Sequence, residues 1–283
     1  MPKITWTYCQ KNSDLILSSG LNILLTNPSR NFGYEFSKES GNYLISDESM
    51  QWNYTGESNK ITGRIKQHSK EKNSRFHKNY VAIQKDFKTY PQGLKIKDFE
   101  VRTLTTHIGR KELEAFGVSN IPADLNKFGK GGESEYDKDA EANIWNDTQA
   151  NFTEILEAGE KKILAKKNNE WSKAKVPASA GIYWVEAKAR GLIYIGESAD
   201  LPERYKTHST DTYFSALRRN IGENILNFKL QTKDGKKRYF SEAEDKKITE
   251  YLSECTIKTL AITFGRYELE ELLISKLKPL LNR

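Results

Sequence analysis

The sequence predicts an α+β protein made of two tandem copies of one small domain, each a three-stranded antiparallel β-sheet flanked by helices. Two observations lead to this prediction. The first is an internal repeat, visible as two separated blocks of matching residues. The second is that both copies show short β-branched and aromatic runs followed by helical patterns, in the same order. Hairpin strands with segregated helices are typical of the α+β class.

The repeat is carried mainly by polar residues. Residues 41–69 and 181–209 align without a gap and share 10 of 29 positions, and residues 109–126 and 265–282 share 8 of 18. The two alignments have offsets of 140 and 156, so the second copy carries a net insertion of 16 residues between the blocks. A purely structural duplication would retain apolar core positions best. Retention of polar positions points instead to chemistry.

The elements of the second copy follow from its periodicity. Residues 181–186 and 191–196 read as a hairpin. A helix is predicted at 201–209, with Asp200 as N-cap and Pro202 in its first turn. The remaining predicted elements are a helix at 211–220, a hairpin around Asp234-Gly235, a helix at 241–253, a strand at 257–264 and a helix at 267–276 that Pro279 ends.

The first copy repeats this order. We predict a hairpin at 41–55, helices near 59–68 and 73–87, a strand at 98–105 and a helix at 109–116. Residues 15–17 and 21–25 look like strands. The predicted domains are residues 1–128 and 178–283, joined by a linker at 129–177 that begins with Gly129-Lys130-Gly131-Gly132 and continues as a connecting helix near 137–172.

Composition limits the class of protein. The chain of 283 residues is 29% charged and has a mean hydropathy of −0.73, which leaves no stretch resembling a membrane span or a secretory signal. Cys9 and Cys255 lack CxxC spacing, which excludes a cysteine-based zinc site and fits a reducing, cytoplasmic location. The net charge of +7 suits a phosphate-rich partner, although charge alone does not identify one.

The second copy contains two short motifs, Gly181-Ile182-Tyr183 and Tyr194-Ile195-Gly196. Over about residues 181–282 it resembles the GIY-YIG nucleases, which are named after this pair of motifs. The family's other motif residues follow in order: Arg204 ten residues later, His208 one turn further, Glu270 in a late helix and Asn282 after Lys278-Pro279. The first copy has counterparts at every position, although GNY and YTG replace GIY and YIG: Tyr43, Tyr54, Arg64, His68, Glu114 and Asn126.

The resemblance implies roles for these residues in phosphodiester hydrolysis. Glu270, and Glu114 in the first copy, would each hold one Mg²⁺, with Mn²⁺ as a substitute. Arg204 would bind the phosphate, and Tyr183 would act as general base assisted by His208. Tyr194 would position water or phosphate, and Asn282 would support the metal side. A tyrosine of ordinary pKa is a poor base unless a cation or histidine helps it.

Each residue also has an ordinary structural interpretation. A lone strand tyrosine is usually half-buried packing, and a lone helix arginine or glutamate is usually solvated. Joint recurrence in two copies outweighs those interpretations. His77 and His107 have no counterparts and are interpreted as structural or surface residues. The loop Lys233–Arg238 is either a solvated turn or a grip on a phosphate backbone.

The leading hypothesis is a type II restriction-type endonuclease that cuts both strands of a specific site in double-stranded DNA with two fused active sites. It would act as a monomeric pseudo-dimer, or otherwise as a homodimer. The alternatives are a homing, repair or structure-specific nuclease, a chain in which only the C-terminal copy is catalytic and the N-terminal copy binds DNA, and a binding module without activity.

Overall fold

The computed structural model describes residues 3–50, 52–70, 72–86, 94–126, 136–233 and 235–282. The chain forms two compact units, residues 1–153 and 154–283. The Gly129-Lys130-Gly131-Gly132 segment and Asp234 lie outside the described residues. Among the helices that are described, none is both long enough and apolar enough to cross a membrane.

Unit 1 consists of one antiparallel sheet with helices around it. Its elements are α1 (Trp6–Lys11), α2 (Ser13–Thr26), β1 (Gly41–Asp47), β2 (Asn53–Ser58), α3 (Ile61–His68), α4 (Arg75–Asp86), a 3-10 helix (Ile96–Asp98), β3 (Phe99–Thr105), α5 (Arg110–Asn120) and α6 (Ala142–Ala150). The strand order is β2-β1-β3, all antiparallel, as predicted for this copy. Its core is mostly aromatic and includes Tyr43, Trp52, Phe76 and Phe99.

Unit 2 has the same central arrangement. It begins within α7 (Phe152–Leu164) and continues with β4 (Asn169–Glu170), a 3-10 helix (Trp171–Lys173), β5 (Gly181–Ala187), β6 (Gly191–Ser198), α8 (Leu201–Thr210), α9 (Ala216–Asn224), β7 (Gln231–Lys233), β8 (Lys236–Tyr239), α10 (Glu242–Ser253), β9 (Thr256–Ala261) and α11 (Arg266–Leu277). The main sheet has the order β4-β9-β5-β6, and β7 and β8 form a separate hairpin.

The central strands of the two sheets share one register. Tyr43 pairs with Gly56 on one side and Thr103 on the other. Tyr183 likewise pairs with Gly196 and Thr259. The hairpin and its partner strand are therefore assembled in the same way in both units, and the first tyrosine of each motif lies on the middle strand.

The N-terminal segment is helical, and the strand-like interpretation of residues 15–17 and 21–25 was wrong. Both stretches lie in α2. Leu17, Leu21 and Leu24 are buried at intervals of four and three residues, which is the period of one helix face. The short apolar runs were ambiguous between strand and helix because each was read without its neighbours.

Unit 2 has a fourth strand that the three-stranded prediction did not include. The short β4 pairs with β9 through Asn169 and Glu170. The following Trp171 anchors this segment: it is 4% exposed and its indole Nε1 donates to Ser209 Oγ at 3.2 Å. Burial of one tryptophan therefore fixes a stretch whose polar sequence resembled a helical linker.

The predicted connecting helix at 137–172 was also wrong as a single element. Two helices, α6 and α7, occupy it, followed by β4. Trp145 of α6 is 1% exposed and lies over Gly20, where a Cβ would come within 2.5 Å of its ring. The boundary between the compact units falls between Thr153 and Glu154, inside the predicted linker. Buried side chains of that segment, such as Trp145 and Trp171, belong to the cores of the units.

Candidate active sites

In each hairpin the tyrosine of the first motif packs over the glycine of the second motif, which lies on the neighbouring strand. A Cβ on Gly56 would come within 2.4 Å of the Tyr43 ring, and one on Gly196 within 2.3 Å of the Tyr183 hydroxyl. Glycine is needed at both places because the phenol occupies the space of a side chain. This close approach explains the glycine of the second motif. The phenols of both motif tyrosines lie on the same face of the sheet.

The C-terminal site is built on a hydrogen-bonded chain of three side chains. Tyr183 on β5 lies with its Oη 2.7 Å from Nε2 of His208, which α8 supplies. The other ring nitrogen, Nδ1, lies 2.6 Å from Oγ of Ser215, the N-cap residue of α9. His208 is 2% exposed and Ser215 is fully buried, so these contacts are shielded from water.

The hydrogen bonds of Ser215 favour one tautomer of His208. Ser215 Oγ already accepts the backbone N–H of Arg218 at 3.0 Å. Its own hydroxyl proton has Nδ1 as its acceptor among the described contacts. We therefore assign the proton of the neutral ring to Nε2, which donates to the Tyr183 oxygen. A phenol that receives a hydrogen bond is better able to carry negative charge.

Burial controls the protonation of both groups. Burial, and then the positive charge of Arg204, lowers the pKa of His208 to about 3, so the ring is neutral at physiological pH. Burial also raises the pKa of Tyr183 well above its ordinary value, and the neighbouring Tyr194 adds to the effect. Arg204 acts in the opposite direction on Tyr183. In the free protein Tyr183 is therefore a protonated phenol.

Three further predicted residues surround this pair. Tyr194 stacks on Tyr183 with ring centroids 6.0 Å apart and is half-buried. Burial raises its pKa, and the carboxylate of Glu270 on α11 raises it further. Arg204 lies on α8, one helical turn before His208. The charges of Arg204 and Glu270 both act on Tyr183, so sheet, α8 and α11 bring all five groups to one place.

The N-terminal site repeats the phenol–imidazole contact. Tyr43 Oη lies 3.0 Å from Nε2 of His68, and Tyr54 packs on both rings at centroid distances of 6.3 and 5.4 Å. Burial lowers the pKa of His68 to about 4. Nδ1 of His68, however, is buried and has no hydrogen-bond partner among the described residues. Ser74, at the start of α4, instead accepts the N–H of His77 at 3.3 Å.

A basic cavity opens beside this N-terminal site. It has a volume of about 410 Å³ and is bordered by the second tyrosine, the histidine, three cations and several amides: Tyr54, His68, Arg64, Arg75, Lys78, Gln67, Asn73 and Asn79. Glu114 acts on the same tyrosines. Burial, and then the nearby carboxylate of Glu57, raises the pKa of Glu114 to about 7. Three cations thus border the opening, as phosphate binding would require, and the charge of Glu114 acts on the tyrosine that lines it.

The final asparagine of each copy clamps the second motif strand. Asn282 donates to the carbonyl of Ile195 at 2.7 Å and accepts its N–H at 2.8 Å. Asn126 does the same at Thr55, with distances of 2.8 and 2.9 Å. Because both ends of the amide are engaged with backbone, the asparagine holds the residue after Tyr194 or Tyr54. This asparagine was predicted to support the metal side, but its two backbone hydrogen bonds give it a positioning contact instead.

A second asparagine, which the sequence pattern did not predict, supports that clamp. Asn220 of α9 donates to the carbonyl of Leu281 at 3.0 Å, directly before Asn282. Asn79 of α4 makes the equivalent bond to Leu125 at 2.7 Å. These two asparagines are 141 residues apart, whereas the first aligned block has an offset of 140. Because they lie outside both aligned blocks, the repeat did not reveal that they correspond.

A buried ion pair also recurs. Arg266 Nε lies 2.6 Å from a carboxylate oxygen of Glu197, and Arg110 lies 3.7 Å from Glu57. The glutamates belong to the Gly-Glu-Ser runs and the arginines to the Gly-Arg pairs that both copies share. The repeat therefore contained the signal, but no role was assigned to it. The pair joins the end of the second motif strand to the start of the helix carrying Glu270 or Glu114.

Whether a metal ion fits these sites depends on the donor groups that their side chains offer. Among the described residues, no cluster of three histidine, cysteine or acidic side chains could enclose a metal ion. A Mg²⁺ that keeps most of its waters needs only one or two carboxylates, and Glu270 and Glu114 are half-buried carboxylates of that kind. The raised pKa of Glu114 shows a carboxylate whose negative charge is poorly compensated, which a divalent cation would relieve. The donor set fits a singly anchored Mg²⁺.

Comparison with known proteins supports this assembly for the second unit. A family model described as the GIY-YIG catalytic domain matches residues 162–283. No curated protein and no solved structure matched the chain. The matched segment contains the tyrosine pair, the arginine, the histidine, the glutamate and the final asparagine of the C-terminal site. Residues 162–283 therefore carry a GIY-YIG catalytic domain, which indicates a nuclease of that superfamily.

Proposed function

We propose that the protein is a Mg²⁺-dependent endonuclease that hydrolyses phosphodiester bonds of double-stranded DNA, with one active site in each unit. The observation that carries the proposal is the repeated buried contact between a motif tyrosine and a helix histidine, 2.7 Å in unit 2 and 3.0 Å in unit 1. In both units an arginine and a glutamate act on that tyrosine. A structural role would not need this combination twice.

Each residue has a separate role in the proposed hydrolysis. Arg204, or Arg64 in unit 1, binds the phosphate and stabilises the charge that builds on its oxygens. Tyr183 first releases its phenolic proton to solvent, and the resulting phenolate takes the proton of the attacking water. The water oxygen bonds to phosphorus as the phosphorus–oxygen bond to the leaving group breaks, and the leaving oxygen takes a proton from solvent. His208 donates from Nε2 to the Tyr183 oxygen, and Arg204 opposes the effect of burial, so both favour the anion that this step needs.

The second tyrosine and the glutamate complete the site. Tyr194, stacked on Tyr183, orients the water or the phosphate. Glu270, and Glu114 in unit 1, would hold Mg²⁺. When bound, the ion supplies Lewis-acid charge for the phosphoryl oxygens and for the nearby phenol.

Two sites in one chain support a restriction-type enzyme that cuts both strands while remaining a monomer. A cut in each strand requires two hydrolytic events, and a single chain with two sites supplies both without dimerisation. A second candidate is that only unit 2 hydrolyses DNA while unit 1 binds it. This candidate is favoured by the serine contact that fixes His208 and that His68 lacks among the described residues.

The proposal is tested by incubating purified protein with supercoiled plasmid in Mg²⁺, in Mn²⁺ and in EDTA. We expect cleavage with either metal and none with EDTA. Discrete fragments from unmodified plasmids support a restriction enzyme. Cutting confined to branched or damaged DNA would support a repair nuclease instead. A protein that leaves varied duplex DNA intact in Mg²⁺ is not an endonuclease of this kind.

A double variant, Arg64→Ala with Arg204→Ala, is the control for contaminating nucleases. Both side chains are on helix surfaces, exposed for Arg64 and half-buried for Arg204, so the fold should persist. We expect at least about a 100-fold loss of cleavage, because each site loses its fixed phosphate ligand. Circular dichroism and thermal melting confirm that the double variant is folded.

A further inference from the structure

Unit 2 carries a cluster of aromatic and arginine side chains next to its site. Tyr213 is its centre: its ring lies 4.6 Å from Phe214 and 5.3 Å from Tyr239, measured between centroids. Arg238 lies over the same ring at 5.4 Å. Arg219 of α9 donates to the carbonyl of Tyr213 at 2.5 Å. We refer to these five residues, Tyr213, Phe214, Arg219, Arg238 and Tyr239, as the aromatic–arginine surface.

The two arginines bring positive charge together, and the carboxylates of Glu223 and Asp211 offset part of it at Arg219. Within the described part of the chain, neither Arg219 nor Arg238 forms a salt bridge. Burial and the charge of Arg238 both lower the pKa of Arg219, so the guanidinium groups repel one another. The hairpin that supplies Arg238 has the sequence QTKDGKKRY over residues 231–239, with three lysines and one arginine against one aspartate. An anion would relieve this repulsion.

Phe214 gives the surface an apolar contact point. It is 65% exposed, the highest value among the large exposed hydrophobic residues that the structure describes. A single exposed apolar side chain is ordinary. This one, however, is held against Tyr213, whose ring Arg238 covers and whose carbonyl accepts a hydrogen bond from Arg219. Phosphate groups next to sugars and bases offer the matching mixture of charge and apolar surface.

The surface is continuous with the C-terminal site. Arg219 lies on α9 between Ser215, which contacts His208, and Asn220, which supports the Asn282 clamp. Its charge acts on both Tyr194 and His208. DNA that contacts Arg219 would therefore lie within reach of the proposed cleavage chemistry.

The stretch between the second helix and the last strand of the sheet is shorter in unit 1 than in unit 2. Only residues 87–95 separate α4 from its 3-10 helix, whereas the corresponding stretch of unit 2 holds β7, β8 and α10. The net insertion of 16 residues found in the sequence therefore corresponds to added structure beside one site.

We propose that the aromatic–arginine surface is a duplex-DNA contact of unit 2. Arg219 and Arg238 bind a phosphate flanking the bond that is cut, and Phe214 packs on the neighbouring sugar or base. This inference rests on the proposed function for its partner, and it adds an asymmetry: DNA on one side of the cut is held by a hairpin that has no counterpart among the described residues of unit 1.

The test is equilibrium binding of a fluorescently labelled mixed-sequence duplex, followed by anisotropy over a series of KCl concentrations. The protein carries Glu114→Gln and Glu270→Gln to suppress cleavage. Arg238→Ala and Phe214→Ala are compared with two exposed controls in unit 2, Lys188→Ala and Leu164→Ala. Thermal melting confirms folding of each variant.

We expect Arg238→Ala to reduce the slope of log K against log[salt] by about 0.9, the value of one lost phosphate contact. Phe214→Ala should weaken binding by at least about fivefold while leaving the slope unchanged. The controls should stay within about twofold. Unchanged affinity and slope in both surface variants, or a preference for single-stranded DNA that both retain, would overturn the inference.

Plasmid cleavage by otherwise wild-type protein, run in parallel, separates the two proposals. If the protein cleaves DNA but its binding does not depend on Arg238 and Phe214, the proposed DNA contact is wrong and the proposed nuclease function stands. If binding depends on both residues but no cleavage occurs, the proposed nuclease function is wrong and the proposed DNA contact stands. A protein that neither binds nor cuts duplex DNA contradicts both.

Discussion

Each unit places a phenol against Nε2 of a histidine, but the other nitrogen of that histidine has a different environment in the two. In unit 2, Oγ of Ser215 lies 2.6 Å from Nδ1 of His208 and is placed to donate its hydroxyl proton to that nitrogen. In unit 1, Nδ1 of His68 has no partner among the described residues, and the helix-capping Ser74 bonds to backbone instead. The second unit also adds Arg218, fully buried, which donates to the carbonyls of His208 and Ser209 at 3.3 and 3.1 Å.

The comparison teaches that the same residues at the same spacing can be held with different rigidity. A neutral imidazole can carry its proton on either nitrogen, and only one form donates to the phenol. Ser215 selects that form, and Arg218 fixes the end of the helix that carries His208. We therefore expect both sites to hydrolyse DNA, with the C-terminal site faster.

The largest expected effect comes from removing the histidines one at a time. His208→Ala, made in the Glu114→Gln protein so that only unit 2 retains its glutamate, should slow plasmid nicking by at least about 100-fold. His68→Ala in the Glu270→Gln protein should slow the residual nicking by a smaller factor, because its tautomer is not fixed beforehand. Initial nicking rates on supercoiled plasmid provide the measurement.

Near-complete retention of nicking after His208→Ala would show that the histidine only fills space. His77→Ala is the matched control, since this histidine lies on α4 and was expected to have no catalytic role. It should leave either rate within about twofold.

The second prediction concerns pH at the N-terminal site. The pKa of Glu114 is raised to about 7 by burial and by Glu57, and only its deprotonated form attracts a cation. Nicking by the Glu270→Gln protein should therefore be retained above pH 7 and be lost as pH falls below it, by about tenfold per pH unit.

Glu57→Gln in the same protein removes the like charge, so the pKa of Glu114 should fall and the whole profile should move to lower pH. A rate profile that stays flat through neutral pH would contradict the assignment of Glu114 as the metal ligand.

A smaller effect is expected from the two helix-capping serines. Ser215→Ala in the Glu114→Gln protein should slow nicking by roughly tenfold, since the histidine loses the partner that selects its tautomer. Ser74→Ala in the Glu270→Gln protein should leave its rate unchanged. Both variants should lose about 1 kcal/mol of unfolding free energy, because each serine also caps a helix. Equal losses of activity in the two would show that capping alone explains them.

Much of the fold followed from local patterns. The two hairpins, α8 with its Asp200 cap and the strand and helix before each final asparagine were predicted, because alternation, turn residues and caps are encoded locally. The helical N-terminus and the strand β4 were not. Both depend on tertiary burial: Leu17, Leu21 and Leu24 share one buried face, and Trp171 pulls a polar segment onto the sheet edge.

The site was predictable to the extent that it repeats. The tyrosines, arginines, histidines and glutamates were found because they recur at fixed spacing, and the structure brings them together. Ser215 and Arg218 could not be found in this way, since no matching contact occurs among the described residues of unit 1. The environments that raise the pKa of Glu114 and lower that of His208 also require burial, which no spacing reveals.

The central claim is that each unit cuts one strand, and separate inactivation of the two glutamates tests it most directly. Supercoiled plasmid is incubated in Mg²⁺ with wild type, Glu114→Gln, Glu270→Gln and the double variant, and nicked and linear products are quantified over time. The account predicts that wild type linearises the plasmid, each single variant stops at the nicked form and the double variant leaves it intact. If Glu114→Gln still linearises DNA while Glu270→Gln does nothing, unit 1 is a DNA-binding copy and the claim of two active sites is wrong.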